Sequence, residues 1–458
     1  GRRLLPAEGS APGLLQRLGA QTVVAAAVRA LQLLGRQFVL GRHIDEALHE
    51  AQAQRAGQPA LRFSFDMLGE GARTGRDAER YLAAYHHAIE RIAREQPADA
   101  APEQADGISI KLSALHPRYE PAQRQRLFAE LLPRLWTLVE RAARANMNLT
   151  IDAEESERLE LSLDLFEALA ARVAQAWPQW QGLGLAVQAY QTRSLEVVQE
   201  VARLAAAYRL RLMVRLVKGA YWDGEIKRAQ ELGLAGYPVY TRKQHTDLAY
   251  LACARVLLDH APQVFPQFAT HNAGTIAAVL QMARERGAAF EMQRLHGMGE
   301  GIYREVLKRE PVALRVYAPV GEHRDLLAYL VRRLLENGAN SSFVHQLADA
   351  RVPLDALLVS PFNLQGDPGL PLPAALYGPA RPNSAGVDLA CLADREPLYA
   401  TARDTAVPTV PEADAAAVDA AMQRLHAGFA LWDATPVAGR AAALRRAAEE
   451  IRASAEAA

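Results

Sequence analysis

The chain is poor in cysteine and has no excess of either charge. Its 458 residues include two cysteines, Cys253 and Cys391. They lie far apart in sequence, so we expect no disulfide framework and infer a reducing compartment. Lys+Arg and Asp+Glu both total 52, which argues against a nucleic-acid partner, because binding nucleic acid requires clustered basic residues.

Long hydrophobic runs are also lacking. No apolar stretch approaches the roughly 18 residues that span a bilayer. The stretch QTVVAAAVRALQLLG (21–35) is interrupted by Arg29 and predicts a buried or amphipathic helix. No signal peptide is recognisable, and Gly1 indicates a processed or engineered start. Half of all residues are hydrophobic, so a globular protein is expected and a disordered one is excluded.

Lysine is scarce among the cations, because only five of the 52 basic residues are lysines. A chain that uses arginine for most surface cations is expected to keep lysine where a compact ammonium group is needed. Two of the five, Lys111 and Lys218, follow short apolar runs.

Short apolar runs alternate with long helical patterns along most of the chain. Their spacing of a few tens of residues is that of a βα unit. Eight units favour a closed, TIM-like (β/α)8 barrel of the α/β class over an open doubly wound sheet. No G-x-G-x-x-G follows a run, as a Rossmann fold would require. The runs are 61–69, 107–115, 148–155, 182–190, 211–221, 265–272, 290–297 and 314–321.

The same pattern gives the expected boundaries. Residues 1–57 predict N-terminal helices, and residues 58–350 predict the barrel. Residues 351–411 are rich in proline and glycine and predict an extended connector. Residues 412–458 predict a C-terminal helix.

Each predicted strand ends in a side chain that can ionise or form hydrogen bonds. In a (β/α)8 barrel these ends share one face, and active sites are built there. A single polar residue at a strand end is common, but polar residues at all eight strand ends indicate a functional site at the open end of the barrel. The residues are Asp66, Lys111, Asp152, Gln188, Arg215 with Lys218, Thr270 with His271, Gln293 and Tyr317.

The stretch KGAYWDG, which begins at Lys218, indicates the kind of ligand. Gly219 and Ala220 allow the backbone to approach a ligand closely, and Tyr221 and Trp222 supply flat faces beside two cations. A glycine-rich turn, LHGMGEG, follows the seventh run, where such barrels often bind phosphate. This set suits a large planar cofactor that carries phosphate, such as a flavin dinucleotide. A nearby cation would stabilise the negative charge that develops on reduction.

The stretch YLVRRLLENGAN (329–340) predicts a helix with a polar stripe. Tyr329, Arg332, Arg333 and Glu336 lie three and four residues apart beside an apolar stripe. Such a stripe is commonly a solvated face with one ion pair. The alternative is a helix laid over a pocket, with paired guanidinium groups facing an anion.

Several stretches resemble the proline dehydrogenase domain of bacterial proline utilization A over about residues 30–350. They are SIKLSALHPRYE, IDAEESERLELSLDLF, VQAYQ, RLVKGAYWDGEIKRAQELGLAGYPVYTRK, FATHN, LHGMGE, RVYAPVGEH and AYLVRRLLENGANSSFV. The resemblance implies a distorted (β/α)8 barrel whose last helix covers the mouth. It also implies FAD as the cofactor, L-proline as the substrate and Δ1-pyrroline-5-carboxylate as the product, formed by hydride transfer to flavin N5.

The family's electron acceptor is a membrane quinone. The resemblance therefore implies a cytoplasmic protein with peripheral association at the bacterial inner membrane.

By this resemblance, Arg332 and Arg333 hold the proline carboxylate through charge-assisted hydrogen bonds. Glu336 pairs with Lys111 and keeps that ammonium group oriented. Glu70 is the gate residue, which pairs with Arg332 when the pocket closes. The other substrate-side residues are Asp152, Leu295, Tyr317 and Tyr329.

The resemblance also assigns the cofactor side, where Arg215 and Lys218 are the flavin-side cations. The further FAD contacts are Ala153, Gln188, Gly219, Ala220, Trp222, Thr270, His271, Asn272 and Gln293. The residues assigned to catalysis are Lys111, Asp152, Arg215, Tyr317, Arg332 and Arg333.

The C-terminal stretch GFALWDATPVAGRAAALRRAAE (428–449) resembles the opening helix of an aldehyde dehydrogenase, the second enzyme of the same bifunctional family. No nucleotide-binding unit or nucleophilic cysteine follows it. We therefore expect a fragment with one activity, without aldehyde dehydrogenase activity and without the family's DNA-binding module.

Two other classes of protein remain as alternatives. Lys218 or Lys111 could form a Schiff base at a strand end, as in aldolases built on TIM barrels. A barrel without catalytic function is the other alternative, but it predicts gaps in the polar rim, which the strand ends do not show. Borohydride trapping with a keto substrate would favour the aldolase, and a yellow protein would favour the flavoenzyme.

Overall fold

The computed structural model describes residues 37–67, 69–97, 99–322, 329–333, 343–349, 351–363, 369–404, 406 and 409–457. Within them, eight parallel strands close into a barrel in chain order. Helices follow the strands and surround the barrel. The (β/α)8 fold predicted from the alternating pattern is confirmed.

Each strand overlaps one of the eight predicted runs. The strands are β1 (Arg62–Met67), β2 (Gly107–Ile110), β3 (Asn148–Ile151), β4 (Leu183–Gln188), β5 (Leu212–Val217), β6 (Val264–Ala269), β7 (Glu291–Leu295) and β8 (Ala313–Val320).

The described helices precede, connect and follow these strands. Those of the barrel are α1 (Ile44–Gly57), α2 (Gly75–Glu95), α3 (Leu112–Leu115), α4 (Arg124–Arg144), α5 (Leu159–Ala176), α6 (Ser194–Tyr208), α7 (Trp222–Leu232), α8 (Lys243–Asp259), α9 (Ala273–Arg286) and α10 (Glu300–Arg309). Those after the barrel are α11 (Phe343–Ala348), α12 (Leu354–Leu357), α13 (Leu392–Asp404), α14 (Ala415–Ala434) and α15 (Val437–Ala457).

Side chains alternate between two environments along each strand, because successive residues of a strand point to opposite faces. On β1, Phe63 and Phe65 belong to the apolar core shared with the surrounding helices. Ser64 and Asp66 alternate with them and are equally buried. Ser64 Oγ lies 3.0 Å from Ser109 Oγ of β2, so polar side chains of neighbouring strands meet inside the barrel.

The helices pack on the barrel through apolar stripes. On α4, Leu127, Leu131 and Leu135 are spaced four apart and are fully buried, as is Leu138. This spacing places them on one face of the helix. The start of α2 is fixed by a capping box, in which Thr74 Oγ1 accepts from the backbone N–H of Asp77 at 3.1 Å.

The described chain divides after Ala390 into two compact units. The second unit contains α13, α14 and α15. Helix α13 lies inside the segment 351–411, which we expected to be extended. Pro397 is inside this helix and obscures it in the sequence, because proline usually interrupts helices.

Some expectations fall on residues that the structure does not describe. The helix predicted at 21–35 lies outside the described residues, and so does the 334–340 part of the predicted pocket-covering helix. Residues 329–333 are helical. Among the helices of the described part of the chain, none has both the length and the apolar character needed to cross a bilayer.

Candidate active site

A cavity of about 690 Å³ opens at the carboxyl ends of the strands. Chain topology places it there, because every strand of a (β/α)8 barrel ends on the same face. The residues after β2, β3 and β5 form one part of its wall, and the residues after β6 and β7 form another. Its volume is within the range of natural ligand-binding pockets.

Lys111 lies at the centre of a buried polar cluster. Its side chain is only 7% exposed, and Nζ lies 2.8 Å from Asp66 Oδ2 and 3.2 Å from Asp152 Oδ2. The hydroxyl of Tyr317 is 3.3 Å from the same nitrogen. The Tyr317 oxygen is also 2.6 Å from Asp66 and 2.8 Å from Asp152, so the four side chains form one hydrogen-bonded group.

Burial and charge fix the protonation of this group. Burial alone would lower the pKa of Lys111, but Asp66, Tyr317 and Asp152 raise it well above its usual value, so the amine is an ammonium ion. Burial also raises the pKa of Asp66 above the ordinary aspartate range. The pKa of Tyr317 is raised well above its usual value, mainly by burial, which keeps its hydroxyl protonated.

Arg215, on β5, extends the cluster across the barrel. Its guanidinium donates from Nη1 to Asp152 Oδ1 at 2.7 Å, from Nε to Gln293 Oε1 at 2.8 Å and from Nη2 to Ser64 Oγ at 3.0 Å. Its Cζ lies 5.2 Å from the centre of the Tyr317 ring, within cation–π range. This side chain is therefore held in one orientation at the cavity wall.

The described helical turn 329–333 carries both expected arginines into the cavity wall. Arg332 donates to both carboxylate oxygens of Glu70, at 2.6 and 2.9 Å, and its Cζ lies 5.0 Å from the centre of the Tyr221 ring. Arg333 is buried, with its Cζ 5.1 Å from the centre of the Tyr329 ring. The solvated-face interpretation is therefore wrong for these two residues.

The Arg332–Glu70 pair is strong for a partly exposed pair, since it is bidentate. Burial alone would raise the pKa of Glu70 and lower the pKa of Arg332. The pKa of Glu70 lies below its usual value, because Arg332 offsets burial. The pKa of Arg332 is raised by the same carboxylate.

A second group of cations lines the same cavity. Lys218 and Lys243 share the carboxylate of Asp247, with Lys243 Nζ at 2.6 Å from Oδ2 and Lys218 in contact with Oδ1. Burial lowers the pKa of Lys218. The pKa of Asp247 is also lowered, because the two lysines outweigh the effect of burial. Compact cations of this kind suit phosphate groups.

The loop after β5 forms part of the cavity wall and packs closely on Tyr190. Gly219 has φ +127°, and a Cβ there would lie 2.4 Å from the ring of Tyr190, so only glycine fits. Trp222 is partly exposed in the wall, and its indole Nε1 donates to the carbonyl of Tyr240 at 2.9 Å. The loop thus offers a backbone surface beside an aromatic face.

Gln188, at the end of β4, has an unused acceptor in the wall. Its Nε2 donates to the Glu154 carbonyl at 2.6 Å. Its Oε1 is buried and has no hydrogen-bond partner among the described residues. A buried acceptor left without a partner is costly, so this atom is suited to a ligand donor.

The loop after β6 is fixed by hydrogen bonds to its neighbours. His271 Nε2 accepts from the backbone N–H of Leu295 at 3.1 Å, which leaves the other ring nitrogen as the N–H donor in the neutral tautomer. Asn272 caps α9 by accepting from the N–H of Thr275 at 2.9 Å. The loop is therefore rigid where it meets the cavity.

Most of the predicted site residues meet in the wall of this one cavity. Glu70 contacts Arg332, which lies in this wall. Glu336 lies outside the described residues, so the expected pairing of Glu336 with Lys111 stays a prediction. The predicted residues in the wall are Lys111, Asp152, Ala153, Gln188, Arg215, Lys218, Gly219, Ala220, Trp222, Thr270, His271, Asn272, Gln293, Leu295, Tyr317, Tyr329, Arg332 and Arg333.

The structure adds residues that the sequence did not assign a role. Asp66 was recognised as a polar strand end, but not as the closest carboxylate to Lys111. Asp247 lies four residues after Lys243 on α8, a spacing that usually indicates a surface ion pair. Additional wall residues are Tyr190, Tyr240, Thr241, Thr246, Met298 and Phe343, and Tyr221, expected to supply a flat face, also lies in the wall.

Comparisons with known proteins agree on one family. A family model described as proline dehydrogenase matches residues 48–346. The bifunctional protein PutA of Escherichia coli is 45% identical over 469 residues, which cover 92% of this chain and 35% of that protein.

Two solved structures extend the comparison. A crystal structure of a mutant of proline utilization A from Bradyrhizobium japonicum has a TM-score of 0.79 and 49% identity, and the match covers 98% of this chain and 46% of that one. Proline utilization A from Bdellovibrio bacteriovorus, inactivated by N-propargylglycine, has a TM-score of 0.73 and 30% identity, and the match covers 81% and 39%. The chain thus spans about a third of the length of the curated relative.

Proposed function

This chain belongs to the proline dehydrogenase family, and we propose that its cavity oxidises L-proline to Δ1-pyrroline-5-carboxylate with FAD as cofactor. A membrane quinone would accept the electrons, which implies a cytoplasmic protein that associates peripherally with the inner membrane. The reaction is the first step of proline catabolism to glutamate. The observation that carries the proposal is the position of Arg332 and Arg333 in the wall of a cavity that also contains the Lys111 cluster.

The cavity fits a large cofactor with polar edges. Three features support FAD: the partnerless acceptor of Gln188, the glycine backbone at Gly219 in the cavity wall and the cations Arg215 and Lys218. When bound, FAD supplies the acceptor for the hydride that leaves the substrate. Arg215 would hold its positive charge beside the ring system, and Lys218 and Lys243 would face the phosphates. The remaining assigned contacts are Ala153, Ala220, Trp222, Thr270, His271, Asn272 and Gln293.

The substrate carboxylate is proposed to bind between the two arginines. Glu70 already places a carboxylate against Arg332 with two short hydrogen bonds. A proline carboxylate would bind Arg332 beside this pair, and Arg333 would supply the second guanidinium. Glu70 would act as a gate, because its pair with Arg332 would form when the pocket closes.

The pyrrolidine ring would lie against apolar and aromatic side chains. Leu295, Tyr317 and Tyr329 line the cavity beside the arginines. Lys111 and Asp152 hold the hydroxyl of Tyr317 in place. Fixing the ring in this way aligns the reacting carbon, and such alignment accounts for a large part of enzymatic rate enhancement.

We further propose that residues 58–350 form the cofactor-binding unit and that residues 351–411 connect it to the C-terminal helices. The Schiff-base alternative requires a lysine that acts as a nucleophile. Lys111 is held as an ammonium ion, which is not nucleophilic, whereas burial lowers the pKa of Lys218 and makes it the better candidate.

An assay of the product tests the proposal. The protein, loaded with FAD, should convert L-proline in the presence of a soluble quinone to a product that forms the coloured dihydroquinazolinium adduct with o-aminobenzaldehyde. D-proline is the control substrate. Absence of the adduct would contradict the proposed function, and covalent labelling of Lys218 by borohydride with a keto substrate would support the aldolase.

A further inference from the structure

A second charged pair lies inside the barrel. Arg315 of β8 and Glu291 of β7 are both fully buried. Arg315 donates from Nε to Glu291 Oε1 at 2.7 Å and from Nη2 to Oε2 at 3.1 Å. The proposed reaction does not use this pair. Burying two charges is costly, and apolar residues of similar size often serve stability equally well. Arg315 also donates to the backbone carbonyl of Ala105 at 2.7 Å, whereas Glu291 has a further contact that leads toward the cavity.

Glu291 is connected to the cavity through one side chain. Gln293 lies two residues further along β7, on the same face of the strand. Its Nε2 donates to Glu291 Oε1 at 2.7 Å, and its Oε1 accepts from Arg215 Nε at 2.8 Å. A carboxylate, an amide and a guanidinium therefore form a continuous chain from the barrel interior to the cavity wall.

Glu291 and Arg215, at the two ends of this hydrogen-bonded series, determine the orientation of the Gln293 amide. A carboxylate only accepts hydrogen bonds and a guanidinium only donates them. Nε2 must therefore face Glu291, and Oε1 must face Arg215. If the amide turned over, two donors would meet at Arg215 and two acceptors would meet at Glu291.

We propose that Glu291 is a positioning residue that orients Arg215 toward the cofactor through Gln293. Arg215 has two other acceptors, Asp152 and Ser64, and the Gln293 contact fixes the remaining Nε edge of its guanidinium. This inference rests on the proposed function, because the cofactor it concerns is FAD. The buried Glu291 carboxylate and Arg215 together set the direction of the Gln293 amide, and Glu291 holds its nitrogen end.

The variant Glu291→Gln tests this mechanism. A glutamine at 291 keeps the size of the side chain but removes the negative charge and one acceptor oxygen, so Arg215 is the one remaining charged group that fixes the orientation of the Gln293 amide. We expect the reduction potential of bound FAD to fall and the rate constant of flavin reduction by proline to fall about 10- to 100-fold, because small misplacements of catalytic groups have effects of this size. The half-saturating proline concentration should change little.

Gln267→Met is the matched control. Gln267 is fully buried and donates to the same Glu291 oxygen at 2.8 Å. Removing it changes the surroundings of the carboxylate but leaves the contacts between Gln293 and Arg215. The flavin potential and the rate of reduction should therefore remain at wild-type values.

A double variant, Glu291→Met with Arg315→Met, separates positioning from stability. It removes both buried charges together, but it also removes the hydrogen bonds that Arg315 donates to the carbonyls of Ala105, Pro102 and Glu103. We expect its melting temperature to fall below that of Glu291→Gln, while the flavin potential and reduction rate fall only as far as in Glu291→Gln. Wild-type potential and rate in both variants would overturn the inference. A wild-type protein that takes up no FAD would overturn the proposed function and this inference with it.

Discussion

At the scale of single residues, Lys111 and its carboxylates depend on one another. The ammonium group has three N–H donors, and Asp66, Asp152 and Tyr317 provide three acceptors within 3.3 Å. Without Lys111, two buried carboxylates would face each other near one hydroxyl. Without the carboxylates, burial would favour a neutral amine.

Lys111→Met should therefore destabilise the fold, not only the active site. We expect the free energy of unfolding at neutral pH to fall by about 3–5 kcal/mol, the usual effect of breaking a buried ion pair. Urea denaturation measures this change. Lys227→Met is the matched control, since Lys227 forms an exposed pair with Glu231, and it should change stability by less than about 0.5 kcal/mol.

Arg333→Ala should affect substrate binding. Removing one of the two guanidinium groups from the proposed carboxylate site should weaken the apparent binding of proline by about 2–5 kcal/mol. Steady-state kinetics with proline as the varied substrate measures this effect. An unchanged KM for proline would rule out the role, and Arg304→Ala, an exposed arginine of α10, should behave like the wild type.

The Glu70–Arg332 pair predicts an effect of acid. The pKa of Glu70 is lowered in the folded state, so the pair stabilises the fold above the unfolded pKa of about 4.3. This stabilisation is lost as pH falls through the folded pKa. Glu70→Gln should be less stable than the wild type by about 1 kcal/mol at pH 7. The difference should vanish in strong acid, and a difference that grows as pH falls would contradict the assignment.

At the scale of secondary structure elements, the loop after β5 is the most constrained part of the site. Gly219 combines a positive φ with a close approach to Tyr190. Two separate effects, backbone strain and a steric clash, therefore oppose any side chain there. The loop carries Lys218 on one side and Ala220 on the other, so any shift would move the cation too.

Gly219→Ala should weaken the binding of FAD by at least about tenfold, because a strained φ costs about 1–3 kcal/mol. Titration of the apoprotein with FAD, followed by flavin fluorescence, measures the affinity. Gly224→Ala is the matched control, since nothing lies within 4 Å of a Cβ at that position of α7. It should bind FAD normally and be slightly more stable.

The strands could be predicted from the sequence, but their exact boundaries could not. Alternating apolar runs and helical patterns predict all eight strands, because period 2 and period 3.6 are local properties. The run 107–115 was too long, since β2 ends at Ile110 and α3 begins at Leu112. Both segments are apolar, so periodicity over four residues cannot separate them.

At the scale of the whole molecule, barrel closure brings distant residues together. The closing pair β1–β8 has Ser64 opposite Tyr317, which puts Tyr317 within hydrogen-bonding distance of Asp66, 251 positions away in the chain. The sequence predicts that these side chains share one rim. It does not predict which of them touch, because barrel register and side-chain rotamers are set by packing.

The Lys111 cluster illustrates this limit. From sequence, the partner expected for Lys111 was Glu336, by resemblance. The structure shows Asp66 and Asp152 beside it, and Glu336 lies outside the described residues. The sequence likewise does not predict the hydrogen bonds that connect Glu291 to Arg215 through Gln293. Glutamate and arginine within strands give no local signal of a buried ion pair.

The most direct test of the account is the visible spectrum of the protein loaded with FAD, recorded without oxygen during titration with L-proline. The account predicts that the flavin absorption bands bleach with proline. Pyrrolidine, which lacks the carboxylate that Arg332 and Arg333 would hold, should bleach them far more slowly. A protein that takes up no FAD, or bound flavin that proline leaves oxidised, would contradict it.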